Sequence, residues 1–513
     1  MQRPDEAYRR KATRVQIPQA GPTRAMRRGR LVVLGILVDT PPRGRAGRIT
    51  RRSRVQIRPT AWTFSGQPLN ASQMPSDTLV IVPASLPEAS AEGNVRSDRH
   101  DLFVMTRLQL VQSGSTSVRT LPPLIPRLGL HDELLLTEFD GFGMSMIGRT
   151  IAQAKADPGV ARLARDRYGV EVLIDPDNWR NQLPVDDRTK GFQKASYALG
   201  SALDLHQRTL STSEMNAYVR LTLEDLAEMQ ATIFVTPYHV GGGPECPIRS
   251  TDLRLARRAV NAFHALRLAE PRSVERYPVE RRLFVGIAIR PADLLDPAAR
   301  QMMVRLYCAL GGTGYLVKIV GLSEDTPVAQ VIAAADFVFS LHYRSRRDVI
   351  LGGGKNLALS FVGAGLPASM LGIAEGEVFN VGSGGRNQGA KPIYHAALWR
   401  SVAATTEAAR LRAEILFHKS PCDCGHHRAR DFPANLHTLK LHTLTKRLHD
   451  FRAVADWGIG NAERRMISRI AEIDAVAAGA GYAPASATFF AVVQAADRAR
   501  RSASHATNTK TNS

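Results

Sequence analysis

The chain has 513 residues, of which 44% are hydrophobic, and a formal net charge of +21 at pH 7. This length suits one large α/β barrel with extensions, or two to three ordinary domains. No apolar run approaches the roughly 20 residues that span a bilayer, so we expect no membrane contact. Four cysteines, two of them one residue apart, do not suggest a disulfide framework, and we therefore expect a cytoplasmic protein.

The first 73 residues are rich in arginine and proline and hold much of the positive charge. Such a segment buries too little apolar surface to fold alone, so residues 1–73 are predicted to be a disordered basic arm. This arm could hold phosphates non-specifically. An equally good explanation is that the working chain starts near Met74.

Residues 74–400 alternate short β-branched runs with helical patterns. The predicted strands are residues 79–82, 102–105, 134–137, 170–174, 232–236, 283–289, 315–320 and 337–341. The predicted helices are residues 151–168, 197–207, 222–230, 253–268, 298–310 and 327–335. Eight strands with intervening helices predict a (β/α)8 barrel of the α/β class, and a doubly wound open sheet is the alternative.

Polar residues follow several of these strands, where a barrel places its catalytic groups. They are Glu138, Asp140, Asp175, Asp177 and His239. Converging carboxylates would supply a nucleophile, a general base and hydrogen-bond acceptors. Aspartate at a strand end is also a common turn former or helix cap, which is the alternative. Arg344, Arg346 and Arg347 follow the last predicted strand and are suited to hold phosphates, or else form a solvated loop.

The segment 401–482 contains the clearest candidate metal site. Cys422 and Cys424 are one residue apart, His427 follows closely, and His442 lies on a predicted helix. Two thiolates and two imidazoles suit a closed tetrahedral Zn²⁺ site, which is structural rather than catalytic. His437 and His449 are substitutes for His442, and a solvated histidine-rich helix is the alternative. Residues 483–513 are predicted to be a disordered tail.

Taken in order, these motifs resemble the tRNA-guanine transglycosylase family. The matching segments are residues 134–142, 172–175, 284–289, 315–340 and 422–427. Members of that family are zinc-containing (β/α)8 barrels that exchange guanine for a 7-deazaguanine through a carboxylate nucleophile. The likeness covers roughly residues 79–454. Ser340 falls where the family has its nucleophilic aspartate, and Asp336 is the nearest carboxylate.

The resemblance implies roles for particular residues. It implies Glu138, Asp140 and Asp336 as catalytic carboxylates, and Asp175, Asp177, His239 and Gly286 as base-binding residues. It also implies a structural zinc ion at Cys422, Cys424, His427 and His442. The expected partners are tRNA or DNA and a guanine or 7-deazaguanine base, and a homodimer is compatible with the sequence.

Three functions therefore remain open. The first is base exchange on nucleic acid, which requires the target base to be flipped out of its stack. The second is a catalytically inactive, zinc-containing barrel that binds nucleic acid. The third is an unrelated barrel enzyme that acts on a small molecule, such as a hydrolase with paired carboxylates.

Overall fold

The computed structural model describes residues 120–129, 132–138, 144–269, 281–373, 378–381, 392–402, 406–431, 433, 435–457, 461–482, 484 and 486–511. The predicted arm and the predicted strands at residues 79–82 and 102–105 lie outside the described residues. Within the described helices, no segment is both long and apolar enough to cross a membrane.

A closed barrel of eight parallel strands forms the centre of the described fold. Its strands are β1 (Leu124–Arg127), β2 (Met146–Thr150), β3 (Glu171–Asp175), β4 (Ile233–Val235), β6 (Arg282–Ile289), β7 (Gly314–Ile319), β8 (Asp348–Gly352) and β9 (Ala368–Gly372). The two-residue strand β5 (Val240–Gly241) pairs with β6, and the pairing of β4 with β6 closes the ring. The predicted barrel is confirmed, and the open sheet is excluded.

Helices surround the barrel and continue into the C-terminal segment. Those of the barrel are α1 (Glu133–Glu138), α2 (Ile151–Ala156), α3 (Gly159–Tyr168), α4 (Lys190–Gln193), α5 (Thr212–Glu228), α6 (Pro247–Ala269), α7 (Pro297–Cys308), α8 (Val328–Ser345) and α9 (Leu357–Gly363). The hairpin β10 (Ile393–His395) and β11 (Arg400–Val402) follows, and then α10 (Glu407–Lys419), α11 (Leu436–Ala455), α12 (Ala462–Gly479) and α13 (Ser486–Thr511).

Local sequence signals explain where several helices begin. Thr150 and Gln153 form a capping box at the start of α2, and Ser211 and Glu214 form another at α5. Each pair satisfies backbone N–H groups that a first helical turn leaves unpaired. The predicted helix at residues 151–168 is divided at Pro158, which stands between α2 and α3.

The core has an inner and an outer layer, as expected when strand side chains alternate between two faces. Ile125, Leu173, Phe284 and Ile350 belong to the cluster inside the barrel. Their strand neighbours pack outward against the helices in a second, larger cluster. Because both faces of each strand are buried, the strands read as continuous apolar runs rather than as alternating ones.

Four predicted strands are confirmed, namely those at residues 170–174, 232–236, 283–289 and 315–320. The two at residues 134–137 and 337–341 are wrong, because these residues lie in α1 and α8. Helix α8 is buried on most of its surface because α13 packs against it, so it lacks a polar face and resembles a buried strand. Short apolar runs do not distinguish the two structures.

Two further predictions are corrected. Residues 197–207 form turns instead of a helix, because side chains bind their carbonyl groups: Asn181 donates to Tyr197 O at 3.1 Å and Arg188 to Ser201 O at 2.8 Å. The predicted disordered tail at residues 483–513 contains α13 instead. Phe489 and Val492 of α13 are buried, so the tail has the apolar face that folding requires.

Candidate active site and candidate metal centre

Buried charged groups meet at the carboxyl ends of β3 and β7. Lys318, on the sixth strand of the ring, makes an ion pair with Asp175 Oδ2 at the end of β3. Tyr238, which follows β4, donates its hydroxyl to Asp175 Oδ1 at 2.6 Å. The side chains of Lys318 and Asp175 are 2% and 0% exposed. A buried ion pair of this kind is costly unless its members remain together.

Asp177 completes this group. It has a φ of 50°, a left-handed conformation that aspartate tolerates better than most residues. Its Oδ1 lies 3.3 Å from Lys318 Nζ and accepts a 3.2 Å hydrogen bond from the indole of Trp179. Its Oδ2 lies 3.3 Å from Arg180 Nε. We call Asp175, Asp177, Tyr238 and Lys318 the floor cluster.

The two carboxyl groups of the floor cluster have opposite shifts in pKa. Burial raises the pKa of Asp175, although Lys318 opposes this effect. Burial also acts to raise the pKa of Asp177, but the positive charges of Lys318, Arg180 and Arg127 outweigh it and lower the pKa to about 2. Asp177 is therefore ionised at neutral pH, while Asp175 has the stronger tendency to hold a proton. Two neighbouring carboxyl groups with separated pKa values are typical of an acid and base pair.

A cavity of about 800 Å³ opens above the floor cluster. Its charged lining residues are Arg127, Arg180, Lys190, Lys318 and Lys440, with Asp132 and Asp177. Trp179 and Phe379 also line it, with ring centroids 5.4 Å apart in an edge-to-face arrangement. The five cations outnumber the two carboxylates, which favours an anionic ligand that has a planar or apolar part.

The structure brings together three of the predicted base-binding residues. Asp175 and Asp177 belong to the floor cluster, and Gly286 of β6 packs under it. A Cβ on Gly286 would lie 2.3 Å from Tyr238 Cδ1 and 2.9 Å from Thr236 O. Only glycine therefore leaves room for the tyrosine ring. Gly286 shapes the site through Tyr238.

His239 does not lie at the cavity. It is fully buried, with Nδ1 2.8 Å from Asp252 Oδ1 of α6 and Nε2 3.3 Å from Tyr218 OH of α5. These contacts place the ring behind the barrel wall, so His239 does not border the cavity, and its predicted contact with a base is not tested. The residue after His239, Val240, begins β5. The residue before it, Tyr238, belongs to the floor cluster and contacts Asp175.

The prediction that Ser340 ends a strand, with Asp336 one strand length earlier, is wrong because both residues lie on α8. Asp336 Oδ2 is 3.3 Å from Arg300 of α7, and Oδ1 is 3.6 Å from Arg498 of α13. This places the carboxylate in the outer helical layer. Asp140 lies outside the described residues, and Glu138 ends α1, so the proposed catalytic roles of these two are not tested.

The three arginines predicted to hold phosphates lie near the opposite end of the barrel. Arg344 is in the last turn of α8 and Arg346 caps that helix. Arg347 donates to the hydroxyl of Tyr315, near the start of β7, at 3.2 Å. Lys318 lies near the other end of the same strand. These arginines therefore do not border the cavity above the floor cluster.

Sequence reasoning missed Lys318, Tyr238 and Trp179. Lys318 interrupts an otherwise apolar run, Tyr315–Leu316–Val317–Lys318–Ile319, and a charge inside a buried strand is the one signal that could have revealed it. Lysine is almost never fully buried unless it is paired. That signal gives no indication of its partners.

The predicted metal ligands are confirmed as a compact group. The ligand atoms of Cys422, Cys424, His427 and His442 all lie within 4.8 Å of one another, so this group could hold a metal ion. We call these four residues the metal cluster. His442 Nδ1 is 3.3 Å from Cys422 Sγ, 3.4 Å from Cys424 Sγ and 3.0 Å from His427 Nε2.

Contacts outside the metal cluster orient both imidazoles. His442 Nε2 is 2.6 Å from the Tyr394 carbonyl of β10, and His427 Nδ1 is 2.9 Å from the Arg428 carbonyl. Such contacts fix the second ring nitrogen as a donor and leave the first free to bind a cation. The hydrogen bond between the two sulfurs lowers the pKa of Cys424 and raises that of Cys422, so one thiolate is favoured and a metal would have to displace the proton of the other.

Helix α11 connects the metal cluster with the cavity. Its residues Leu436 and Lys440 line the cavity, and His442 is half a turn further along. Lys440 makes an ion pair with Asp132, which also accepts a 2.7 Å hydrogen bond from the Gly129 backbone beyond β1. Binding of a metal would therefore fix one wall of the cavity.

No protein-family model matches this chain, and no curated protein is similar enough to count as a match. The resemblance to transglycosylases described above thus stays a prediction from motifs.

Proposed function

We propose that this protein exchanges guanine for a 7-deazaguanine in tRNA or DNA, as the motif order predicts, with its active site at the floor cluster. The observation that carries the proposal is the buried pair of carboxyl groups, Asp175 and Asp177, which both contact Lys318 beneath a large cationic cavity. Cleavage of an N-glycosidic bond needs a proton for the leaving base and a negative charge beside the sugar carbon.

Each member of the pair suits one of these tasks. Asp175, which tends to hold its proton, supplies the proton as guanine leaves. Asp177 stays ionised and lines the cavity, so it stabilises positive charge that develops at C1′ of the nucleotide. Asp175 as the proton donor and Asp177 as the charge-stabilising carboxylate therefore replace Glu138, Asp140 and Asp336 in our assignment of the catalytic carboxylates.

The cavity lining supports a nucleotide as the substrate. Arg127, Arg180 and Lys190 suit the phosphates that flank a flipped base, and Trp179 offers a ring on which a base can stack. Arg180 also lies over the Trp179 ring, with its guanidinium carbon 4.7 Å from the centroid. These are the features expected for a base held outside its stack.

We further propose that the metal is Zn²⁺. Two thiolates and two imidazoles in a compact group suit tetrahedral zinc, and four protein ligands leave no open position for catalysis. The metal would hold the segment that follows α10 against helix α11, since Cys422, Cys424 and His427 lie in that segment and His442 lies on α11. Its effect on the reaction would be indirect, through the cavity wall.

Incorporation of labelled guanine into bulk tRNA and genomic DNA tests the proposal. We expect incorporation by the wild type and a loss of about 100-fold or more in Asp177→Asn, as when a group that stabilises a transition state is removed. Asp186→Asn, at an exposed position in the same loop, is the matched control and should remain active. Activity that survives Asp177→Asn would place the reaction elsewhere, and no incorporation into either nucleic acid would overturn the proposed function.

A further inference from the structure

The roles proposed for Asp175 and Asp177 leave Lys318 without one, although Lys318 is as enclosed as Asp177 among the charged groups that line the cavity. Its side chain is 2% exposed, yet it lines the cavity together with Asp177. If this lysine only neutralised two carboxylates, the arrangement would destabilise the fold, because removing each of the three charges from water costs several kcal/mol. A chemical role would explain its place.

The packing around Lys318 holds the side chain in one direction. Gly352 of β8 lies beside its stem, where a Cβ would be 2.9 Å from Lys318 Cγ. The Phe379 ring lies over the terminal amine, with Nζ 4.7 Å from the centroid. The amine is therefore fixed at the cavity floor, between Asp175 below and Asp177 beside the cavity.

A lysine becomes a nucleophile only when its amine is neutral. Asp175 is in direct contact with Nζ through Oδ2, and burial raises the pKa of this carboxyl group. Asp175 Oδ2 is therefore placed to take the proton from Nζ before the amine attacks. Asp177 remains ionised next to the amine, where a positive charge would develop.

We infer that Lys318 Nζ, and not a carboxylate oxygen, is the atom that bonds covalently to C1′ of the nucleotide. This inference rests on the proposed function and names the covalent atom of that reaction. The intermediate is then an amine-linked sugar that can open to an imine. No such atom is available from Ser340 or Asp336, which lie on α8.

The step balances without an oxidant or a further reactant. The lone pair of the neutral amine forms the C1′–Nζ bond, the C1′–N9 bond breaks, and guanine leaves with the proton that Asp175 holds. The positive charge then resides on Nζ. When the C1′–O4′ bond opens, a proton moves from Nζ to O4′ and an iminium forms between C1′ and Nζ. The ring then closes as O4′ returns its proton to Nζ. N9 of the incoming base attacks C1′ and gives its proton to the Asp175 carboxylate, and the C1′–Nζ bond breaks to release Lys318 as a neutral amine.

Reduction of the iminium gives a direct test. Full-length protein is incubated with bulk tRNA, or with a guanine-containing DNA hairpin, in sodium borohydride, and labelled guanine exchange is measured on the same preparations without borohydride. We expect a stable protein–nucleic acid adduct that peptide mass spectrometry places on Lys318. Lys318→Arg should abolish both the adduct and exchange, while its metal content and thermal melting show whether it folds.

Lys155→Arg is the matched control, since Lys155 also lies between two carboxylates, Asp225 at 2.8 Å and Glu228 at 2.7 Å, but does not line the cavity. It should keep adduct formation and exchange. Exchange by wild type without an adduct, or an adduct on another residue, would overturn the inference and leave the proposed function standing. If wild type shows neither exchange nor adduct with both nucleic acids, the proposed function and the inference fall together.

Discussion

The floor cluster and the metal cluster both bring polar side chains together, but they differ in what balances their charge. In the floor cluster, the Lys318 side chain offsets the negative charges of Asp175 and Asp177. In the metal cluster, four donor atoms lie close together, and none of them supplies the positive charge that two thiolates would need. The charges of the first group are balanced by its own members, whereas the second group could hold a metal ion.

The two groups also differ in how the chain assembles them. Three metal-cluster residues fall within residues 422–427, and only His442 comes from a separate element. In the floor cluster, Lys318 contacts an aspartate 141 positions earlier. Substitutions in each group should therefore have different consequences, and the following predictions are ordered from the largest expected effect to the smallest.

Loss of the metal ligands should have the largest effect. Structural zinc contributes roughly 10 to 16 kcal/mol of apparent binding free energy in zinc-finger peptides. We expect wild type to contain about one metal per chain, and Cys422→Ser/Cys424→Ser to lose it together with the amide protection of α10 and α11. Elemental analysis, thermal melting and hydrogen exchange measure these changes. Cys246→Ser/Cys308→Ser, which changes the other two cysteines, should keep the metal, and metal retained by the first variant would contradict the assignment.

The sequence predicted the metal cluster and the barrel class, but not which residues form the floor cluster. Cysteines one residue apart, with histidines nearby, are a local pattern that can be recognised without knowledge of the fold. The strand β3 is equally legible, because its apolar run ends at Asp175. By contrast, β1 contains Pro126 and β2 contains Gly148 and Arg149. These residues interrupt the apolar pattern that indicates a strand, and these short strands are stabilised by the closed sheet.

The floor-cluster residues that the sequence did not predict are brought there by contacts between distant parts of the chain. Tyr238 reaches Asp175 only because β4 lies beside β3 and because Gly286 of β6 leaves space for its ring. The resemblance placed the catalytic carboxylates by motif order, and this order misled at Asp336, which the helix α8 carries to the outer layer. A motif fixes spacing along the chain, whereas the position of a side chain depends on the element that holds it.

Lys318→Met should have the next largest effect, because it removes the cation that the buried carboxylates Asp175 and Asp177 share. Removal of one partner from a buried pair costs about 3 to 5 kcal/mol, which denaturant unfolding at pH 7 measures. Arg220→Met is the comparison, since Arg220 and its partner Glu224 are both more than half exposed, and it should cost at most about 1 kcal/mol. Equal losses in the two variants would mean that the floor cluster is not energetically enclosed.

Gly286→Ala should perturb the floor cluster without altering a charge. The added Cβ would meet the Tyr238 ring at 2.3 Å, and relief of such overpacking costs about 1 to 3 kcal/mol. Displacement of the ring would also remove the hydroxyl from Asp175, so base exchange should fall more than stability does. Gly200→Ala, with no atom within 4 Å of the new Cβ, is the control and should leave unfolding and exchange near wild-type values.

The pH dependence of Asp177 should be the smallest effect. The folded pKa of this group is about 2, below its ordinary value of 3.8, so its ionised form stabilises the fold above the ordinary value. The difference corresponds to about 2 kcal/mol at neutral pH. Asp177→Asn should lose that amount at pH 6, and the gap from wild type should close as the pH falls from about 4 toward 2. Denaturant unfolding of both proteins across this range measures the gap, and a constant gap would show that hydrogen bonds, and not charge, hold Asp177 in place.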